Sequence, residues 1–214
     1  MRPILYSFRR CPYAMRARLA LYVAKQQVEL REVALRDKPT AFLAASASGT
    51  IPCLVTDEGA IDESLDIMIW ALRRNDPQYW LDMPEAGWDW IAKGDGPFKK
   101  ALDQTKYASR YPDQDPEVSR AKAAAFLTDL DQQLRQDPGG WIFARPTLAD
   151  FALLPFVRQF AFIDKNWFDA QAWPDLQGWL QRFLESEVFA EIMPKFAQWK
   201  DGDHPTPFPN SMPD

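Results

Sequence analysis

The strongest constraint in this chain is a change of pattern at Asp76-Pro77. Before it, short apolar runs alternate with helical segments. Beyond it no convincing strand pattern occurs. Ile4-Leu5-Tyr6 reads as a strand, and a helical pattern follows from Pro12 to about Ala24. Val28 to Val33 alternates apolar and charged residues for most of its length, the period-2 signal of a half-buried strand. Ala41 to Ala45 is a short alanine-rich helix ending in a Ser/Gly turn, and Ile51 to Val55 is a second apolar run. Asp57-Glu58-Gly59 turns that run back into Ala60-Ile61-Asp62 as a hairpin. Glu63-Ser64 opens a helix that Asp76-Pro77 stops.

The resulting order, β-α-β-α-β-β-α, predicts a mixed sheet. A strand pair joined through a helix is parallel, and one joined by a tight turn is antiparallel. This is the order of a thioredoxin-like fold. Residues 77–87, rich in proline, acidic and aromatic side chains, read as a linker between a first domain at 1–76 and an all-helical domain at 88–200. The helical patterns are 88–93 and 98–107, interrupted at Gly94-Asp95-Gly96-Pro97, then 117–134, 147–162 and 175–196. A helical bundle is the simplest architecture for them, so the fold class is α/β plus all-α. The tail at 201–214, which holds four prolines, reads as irregular. Thr147-Leu148-Ala149-Asp150 has the spacing of an N-terminal capping box, flanked by Pro146 and Phe151 at staple positions, and its local reading is structural. Pro155 is expected to kink the helix that follows.

Composition excludes several classes. A net charge of −5 argues against a nucleic-acid or anionic-membrane surface as the main partner. No apolar run approaches the ~20 residues that span a bilayer. The N-terminus enters a strand without the apolar core of a signal peptide, so a cytoplasmic location is expected. Two cysteines and a single histidine, His204 in the tail, give neither a disulfide framework nor a zinc site, and no metal is expected. They also make a His-assisted nucleophile improbable.

The candidate nucleophile is Cys11. It stands at the cap of the first helix, with Pro12 at the first helical position, where a missing N–H costs no intrahelical bond. Arg9 and Arg10 precede it, Arg16 and Arg18 follow, and Met15, Leu19, Tyr22 and Val23 form one apolar stripe. Helix N–H groups and nearby arginines lower a thiol's pKa from about 8.5 toward roughly 3.5–7.5, which makes a reactive thiolate.

Four motifs in order, Cys11-Pro12-Tyr13-Ala14, Ile51-Pro52, Glu63-Ser64 and Thr147-Leu148-Ala149-Asp150, resemble those of the glutathione transferase superfamily. The resemblance covers nearly the whole chain. Its first motif, with Met15 to Leu19, looks most like the omega class and glutaredoxin-like members. It implies glutathione as co-substrate on the first domain, with Cys11 as the catalytic residue. It further implies that Ile51, before a cis Pro52, holds the cysteinyl part through its backbone, and that Glu63 and Ser64 hold the γ-glutamyl end. Lys38 would lie near the glycyl carboxylate, and Tyr13 and Leu35 would line the site. The partners implied are glutathione and a small hydrophobic or glutathionylated acceptor. Most members are homodimers and some glutaredoxin-like ones are monomers, and the sequence leaves both open.

Each of these residues also has a plainer reading. Pro52 suits an ordinary trans edge-strand position, Ser64 suits a helix cap, and Lys38 suits a solvated surface. Cys53 reads as a buried inert thiol, and Tyr6 and Ser7 are alternative hydroxyls. The second domain would supply the apolar half of the cleft, with Trp88, Trp90, Phe98, Tyr107, Tyr111 and Trp141 as candidates. With Ala14 where a dithiol enzyme has its second cysteine, the resemblance implies a monothiol thiol transferase that forms a mixed disulfide with glutathione. Dehydroascorbate and glutathionylated quinols and ketones are further substrates of such a thiol. A conjugating glutathione transferase and a non-catalytic adaptor of the same fold are the competing readings.

Overall fold

The computed structural model describes residues 2–210. Two compact units make up the chain. One joins the residues up to Leu81 with those from Glu185 onward, and the other is Asp82–Leu184.

In the first unit, β1 (Ile4–Ser7), α1 (Pro12–Val23), β2 (Val28–Glu32), α2 (Thr40–Ala45), β3 (Cys53–Thr56), β4 (Gly59–Ile61) and α3 (Ser64–Arg74) follow the expected order. β1 pairs parallel with β2, Ser7 opposite Glu32, and antiparallel with β3, Tyr6 opposite Cys53. β4 pairs antiparallel with β3. The sheet is therefore mixed and of thioredoxin-like type, as the connections require.

α1 departs from expectation. In place of one apolar stripe, every residue of it except Tyr13 is buried, Arg16 and Arg18 included. α3 packs on it, and so does α10 (Glu187–Ile192), a helix from the far end of the chain. Periodicity marks which residues are apolar, but it does not reveal that a second helix covers the polar side.

The tail also differs. Thr206–Phe208 forms β5, antiparallel to β2 with Val28 opposite Phe208, which makes the sheet five-stranded in the order β4-β3-β1-β2-β5. Ahead of β5, Trp199 donates its N–H to the Glu32 carbonyl at 2.8 Å and lies under the Arg31 guanidinium at 4.1 Å. The segment after Leu184 thus belongs with the first unit, and only 211–214 of the expected irregular tail fall outside the described residues.

The second unit is helical: α4 (Ala86–Lys93), α5 (Lys99–Lys106), α6 (Pro116–Arg135), α7 (Leu148–Ala161), α8 (Lys165–Asp169) and most of α9 (Pro174–Glu185). The Gly-Asp-Gly-Pro segment does not break the first helix. Gly94–Phe98 forms a wider turn in which the Lys99 N–H reaches back to the Gly94 carbonyl, so helical bonding resumes past Pro97, which has no N–H to give. Gly94 is buried against α7, where a Cβ would stand 2.1 Å from Leu153 Cδ2. α7 continues through Pro155 as one element. Phe98 stacks on Phe126 at 4.6 Å and Trp90 meets the same ring edge-on at 5.7 Å, so both aromatics pack inside this unit.

Asp150 is the centre of the second unit's polar network. Its Oδ2 accepts the Thr147 N–H at 2.9 Å and the Thr147 hydroxyl at 3.0 Å, which completes the capping box. Its Oδ1 accepts the Ile142 N–H and the Trp179 indole N–H, each at 3.0 Å. Burial pushes this carboxyl up from its ordinary value, and the donors oppose the shift. No helix among the described residues is long and apolar enough to cross a membrane.

Candidate functional site

The β1–α1 connection places Cys11. β1 ends at Ser7, the Cys11 N–H returns to the Phe8 carbonyl at 3.0 Å, and the Cys11 carbonyl accepts the Met15 N–H at 2.9 Å. Cys11 is therefore the residue that caps α1, in extended conformation (φ −72°, ψ 123°), with Pro12 at the first helical position. No side-chain hydrogen bond closes this cap, and the thiol stands at the amide end of the helix. The half-buried Sγ lies 3.7 Å from the Ile51 carbonyl oxygen.

Next to it opens a cavity of about 290 Å³ lined by Tyr13, Thr50, Ile51, Pro52, Asp62, Glu63 and Ser64. The Ile51–Pro52 bond is cis. Glu63 caps α3 and Ser64 is its first residue, so the cavity faces the amide end of an eleven-residue helix. Neither the Glu63 carboxylate nor the Ser64 hydroxyl has a hydrogen-bond partner among the described residues. A helix N-terminus with a hydroxyl suits a carboxylate, and an exposed glutamate suits an ammonium.

Five of the expected binding residues thus gather at one cavity, with Cys11 at Ile51. Two do not line it. Lys38 donates to the Gly49 carbonyl at 2.8 Å, so its ammonium closes the loop ahead of Thr50. Leu35 is 51 % exposed. The segment between β2 and α2 bears no periodic pattern, so sequence alone could not fix where these side chains point.

Sequence reasoning missed Asp62. It accepts the Ser46 hydroxyl at 2.6 Å and the Ser48 N–H at 3.0 Å, and so fixes the loop that leads to Ile51. These hydrogen bonds hold its carboxyl below the ordinary value despite some burial. Cys53 lies under the same carboxylate, fully buried in a cluster with Tyr6, Val33 and Phe42. Burial first, then Asp62, pushes its thiol up to about 12. The alternative hydroxyls are engaged: Tyr6 accepts from Arg31 at 2.9 Å, and Ser7 accepts from Arg18 at 2.5 Å, both in buried residues.

Residues 5–79 match the family model of the glutathione S-transferase N-terminal domain, and residues 89–182 match that of the C-terminal domain. The chain belongs to the glutathione S-transferase family. Solved structures of the family share its fold. One from Methylobacillus flagellatus with glutathione bound has a TM-score of 0.76 at 22% identity, covering 90% of this chain and 100% of that one. A Pseudomonas putida glutathione transferase, with one glutathione disulfide bound per subunit, has a TM-score of 0.75 at 19% identity, covering 90% of each chain. The omega 3C glutathione transferase of Trametes versicolor has a TM-score of 0.74 at 19% identity, covering 92% of this chain and 91% of that one. A comparison with curated protein sequences gives no significant match.

Proposed function

We propose that this glutathione S-transferase family member is a monothiol thiol transferase with Cys11 as its nucleophile. The observation that carries the reading is the position of the Cys11 sulfur, 3.7 Å from the Ile51 carbonyl at the cavity formed by Ile51, Pro52, Glu63 and Ser64. A glutathione bound with its γ-glutamyl end at Glu63 and Ser64 and its cysteinyl backbone along Ile51 has its sulfur directed toward Cys11. The glutathione disulfide held by the P. putida relative is the kind of ligand this arrangement would process.

The chemistry follows from one thiolate and no resolving partner. The glutathione half of a mixed disulfide, R–S–S–G, enters the cavity. The Cys11 thiolate attacks the glutathione sulfur, the substrate S–S bond breaks, and R–S⁻ leaves and takes a proton from water. Cys11 is then joined to glutathione by a disulfide. A second glutathione thiolate attacks the glutathione sulfur of that bond, releasing oxidised glutathione and restoring the Cys11 thiolate. The net exchange converts R–S–S–G and one glutathione thiol into R–SH and oxidised glutathione, the incoming sulfur being oxidised as the R sulfur is reduced. Ala14, fully buried, cannot resolve the intermediate, and Cys53 is buried with its thiol protonated at neutral pH.

The test is an intact mass spectrum after treatment with oxidised glutathione. One added glutathione on Cys11, removed by reduced glutathione and absent in Cys11→Ser, is the expected result. Full reduction of a small glutathione mixed disulfide by Cys11→Ser would overturn the reading.

A further inference from the structure

Among the described residues, Arg18 is a buried cation without a carboxylate partner in contact. It is 1 % exposed, and the groups that accept its hydrogen bonds are neutral. Its Nε donates to the Ile192 carbonyl at 2.9 Å, and its terminal nitrogens donate to Ser7 Oγ at 2.5 Å, to the Phe8 carbonyl at 3.5 Å and to the Arg9 carbonyl at 2.6 Å. A charge withdrawn from water in this way is costly unless an opposite charge stands near.

Three of those contacts are consecutive residues, Ser7 at the end of β1 and Phe8 and Arg9 in the loop that delivers Cys11. The Phe8 carbonyl accepts from both Arg18 and the Cys11 N–H, so a single oxygen joins the guanidinium to the cysteine backbone. The fourth contact is a carbonyl at the C-terminal end of α10, a helix 174 residues away in sequence. The charged groups that act on Arg18 are Glu32, Cys11 and Arg9. Glu32 sits opposite Ser7 across the sheet. One of its oxygens accepts the Arg9 N–H at 2.7 Å, and the other is buried with no hydrogen-bond partner among the described residues. The acidic residues of α10, Glu187 and Glu191, act instead on Tyr22, farther along α1.

We propose that Arg18 is the positioning residue of the Cys11 loop and the fixed cation against which a Cys11 thiolate is balanced, with Glu32 the opposing charge that tempers it. This deepens the thiol transferase reading and rests on Cys11 as the nucleophile. Burial lowers the guanidinium to about 10, so it stays charged at neutral pH. The two side chains should therefore act on the thiol with opposite sign. Removal of the Arg18 charge makes the thiolate harder to form, and removal of the Glu32 charge leaves Arg18 unopposed and makes it easier.

The experiment follows alkylation of Cys11 by iodoacetamide from pH 5 to 9, with peptide mapping to identify the labelled residue. The thiolate displaces iodide, so the rate reports the thiol without glutathione. At pH 6, Arg18→Gln should react about tenfold more slowly than wild type, the lower end of the effect of a close opposite charge. Arg18→Lys, which keeps the charge, should recover most of the rate. Glu32→Gln should react about threefold faster, the smaller effect of a charge screened by its neighbours. If Arg18→Gln does not fold, Glu32→Gln decides alone. A rate within a factor of 1.5 of wild type in folded Glu32→Gln overturns the proposal. Failure of the thiol transferase reading would show separately, as a wild-type protein whose Cys11 alkylates normally but does not turn over a mixed disulfide.

Discussion

Replacement of Asp150 by asparagine tests the polar centre of the helical unit with a change of one atom. Both carboxylate oxygens are acceptors: Oδ2 serves the Thr147 N–H and hydroxyl, and Oδ1 serves the Ile142 N–H and the Trp179 indole N–H. An asparagine has one oxygen. With its NH₂ at the Oδ1 position, two buried N–H groups lose their acceptor. With NH₂ at the Oδ2 position, the Thr147 hydroxyl can rotate to accept, and only the Thr147 N–H is orphaned. The second arrangement wins and costs about 1–3 kcal/mol for that donor. The two surviving bonds lose their charge assistance, but burial already outweighs the donors at this carboxyl, so relief of that burial offsets the loss. At roughly 2–4 °C per kcal/mol for a chain of this size, the melting temperature should fall by at least about 2 °C. Circular dichroism at 222 nm and calorimetry measure it. Thr147→Ala removes one hydroxyl donor and should cost about 0.5–2 kcal/mol, with turnover unchanged in the folded protein. A fall of under about 2 °C in Asp150→Asn, or a larger fall in Thr147→Ala, would refute the reasoning.

Other expectations concern the site and its surroundings. Ser64→Ala should weaken glutathione binding about 10-fold or more, the value of a hydrogen bond to a charged group. Glu63→Gln, at an exposed position, should weaken it less than about fivefold. Isothermal titration separates the two, and the reverse order would contradict the placement of the γ-glutamyl end. Lys38→Met should change affinity less than about threefold, since its ammonium is engaged with Gly49. Gly94→Ala should cost about 1–3 kcal/mol through overpacking against Leu153, read as a lowered melting temperature. Burial holds the Glu32 carboxyl above its ordinary value, so the folded state binds that proton more tightly than the unfolded state. Ionised Glu32 therefore costs stability above its folded pKa, and that cost disappears below the unfolded value. Glu32→Gln should melt above wild type at pH 7, with the difference closing toward pH 4.

Much of this was legible in the residues. The mixed sheet followed from the spacing of Ile4, Val28, Ile51 and Ala60, because connection length dictates parallel or antiparallel pairing. Cys11 at a helix cap followed from Pro12, and the capping box followed from Thr147 and Asp150. What stayed hidden depends on contacts distant in sequence. No local pattern announces that Trp199 will lie under Arg31, or that Arg18 will bind Ile192 across 174 residues. Asp62 was invisible for the same reason. A single aspartate after a short strand is unremarkable until its serine partners fold onto it. The reading of α1 as amphipathic failed because Arg16 and Arg18 look like a solvated face, and only tertiary packing turns them inward.

The strand contributed by the tail has a consequence for how this protein comes into being. β2 carries β5 on one side, so a fragment that ends at Leu81 would present β2 as a bare edge, open to pairing with a neighbouring molecule. During synthesis the same edge stands unguarded while the entire helical unit is made, because the residues that cover it follow that unit in the chain. Most of the first unit precedes the helical unit, yet it is finished only when β5 emerges, so its assembly is discontinuous in time as well as in sequence.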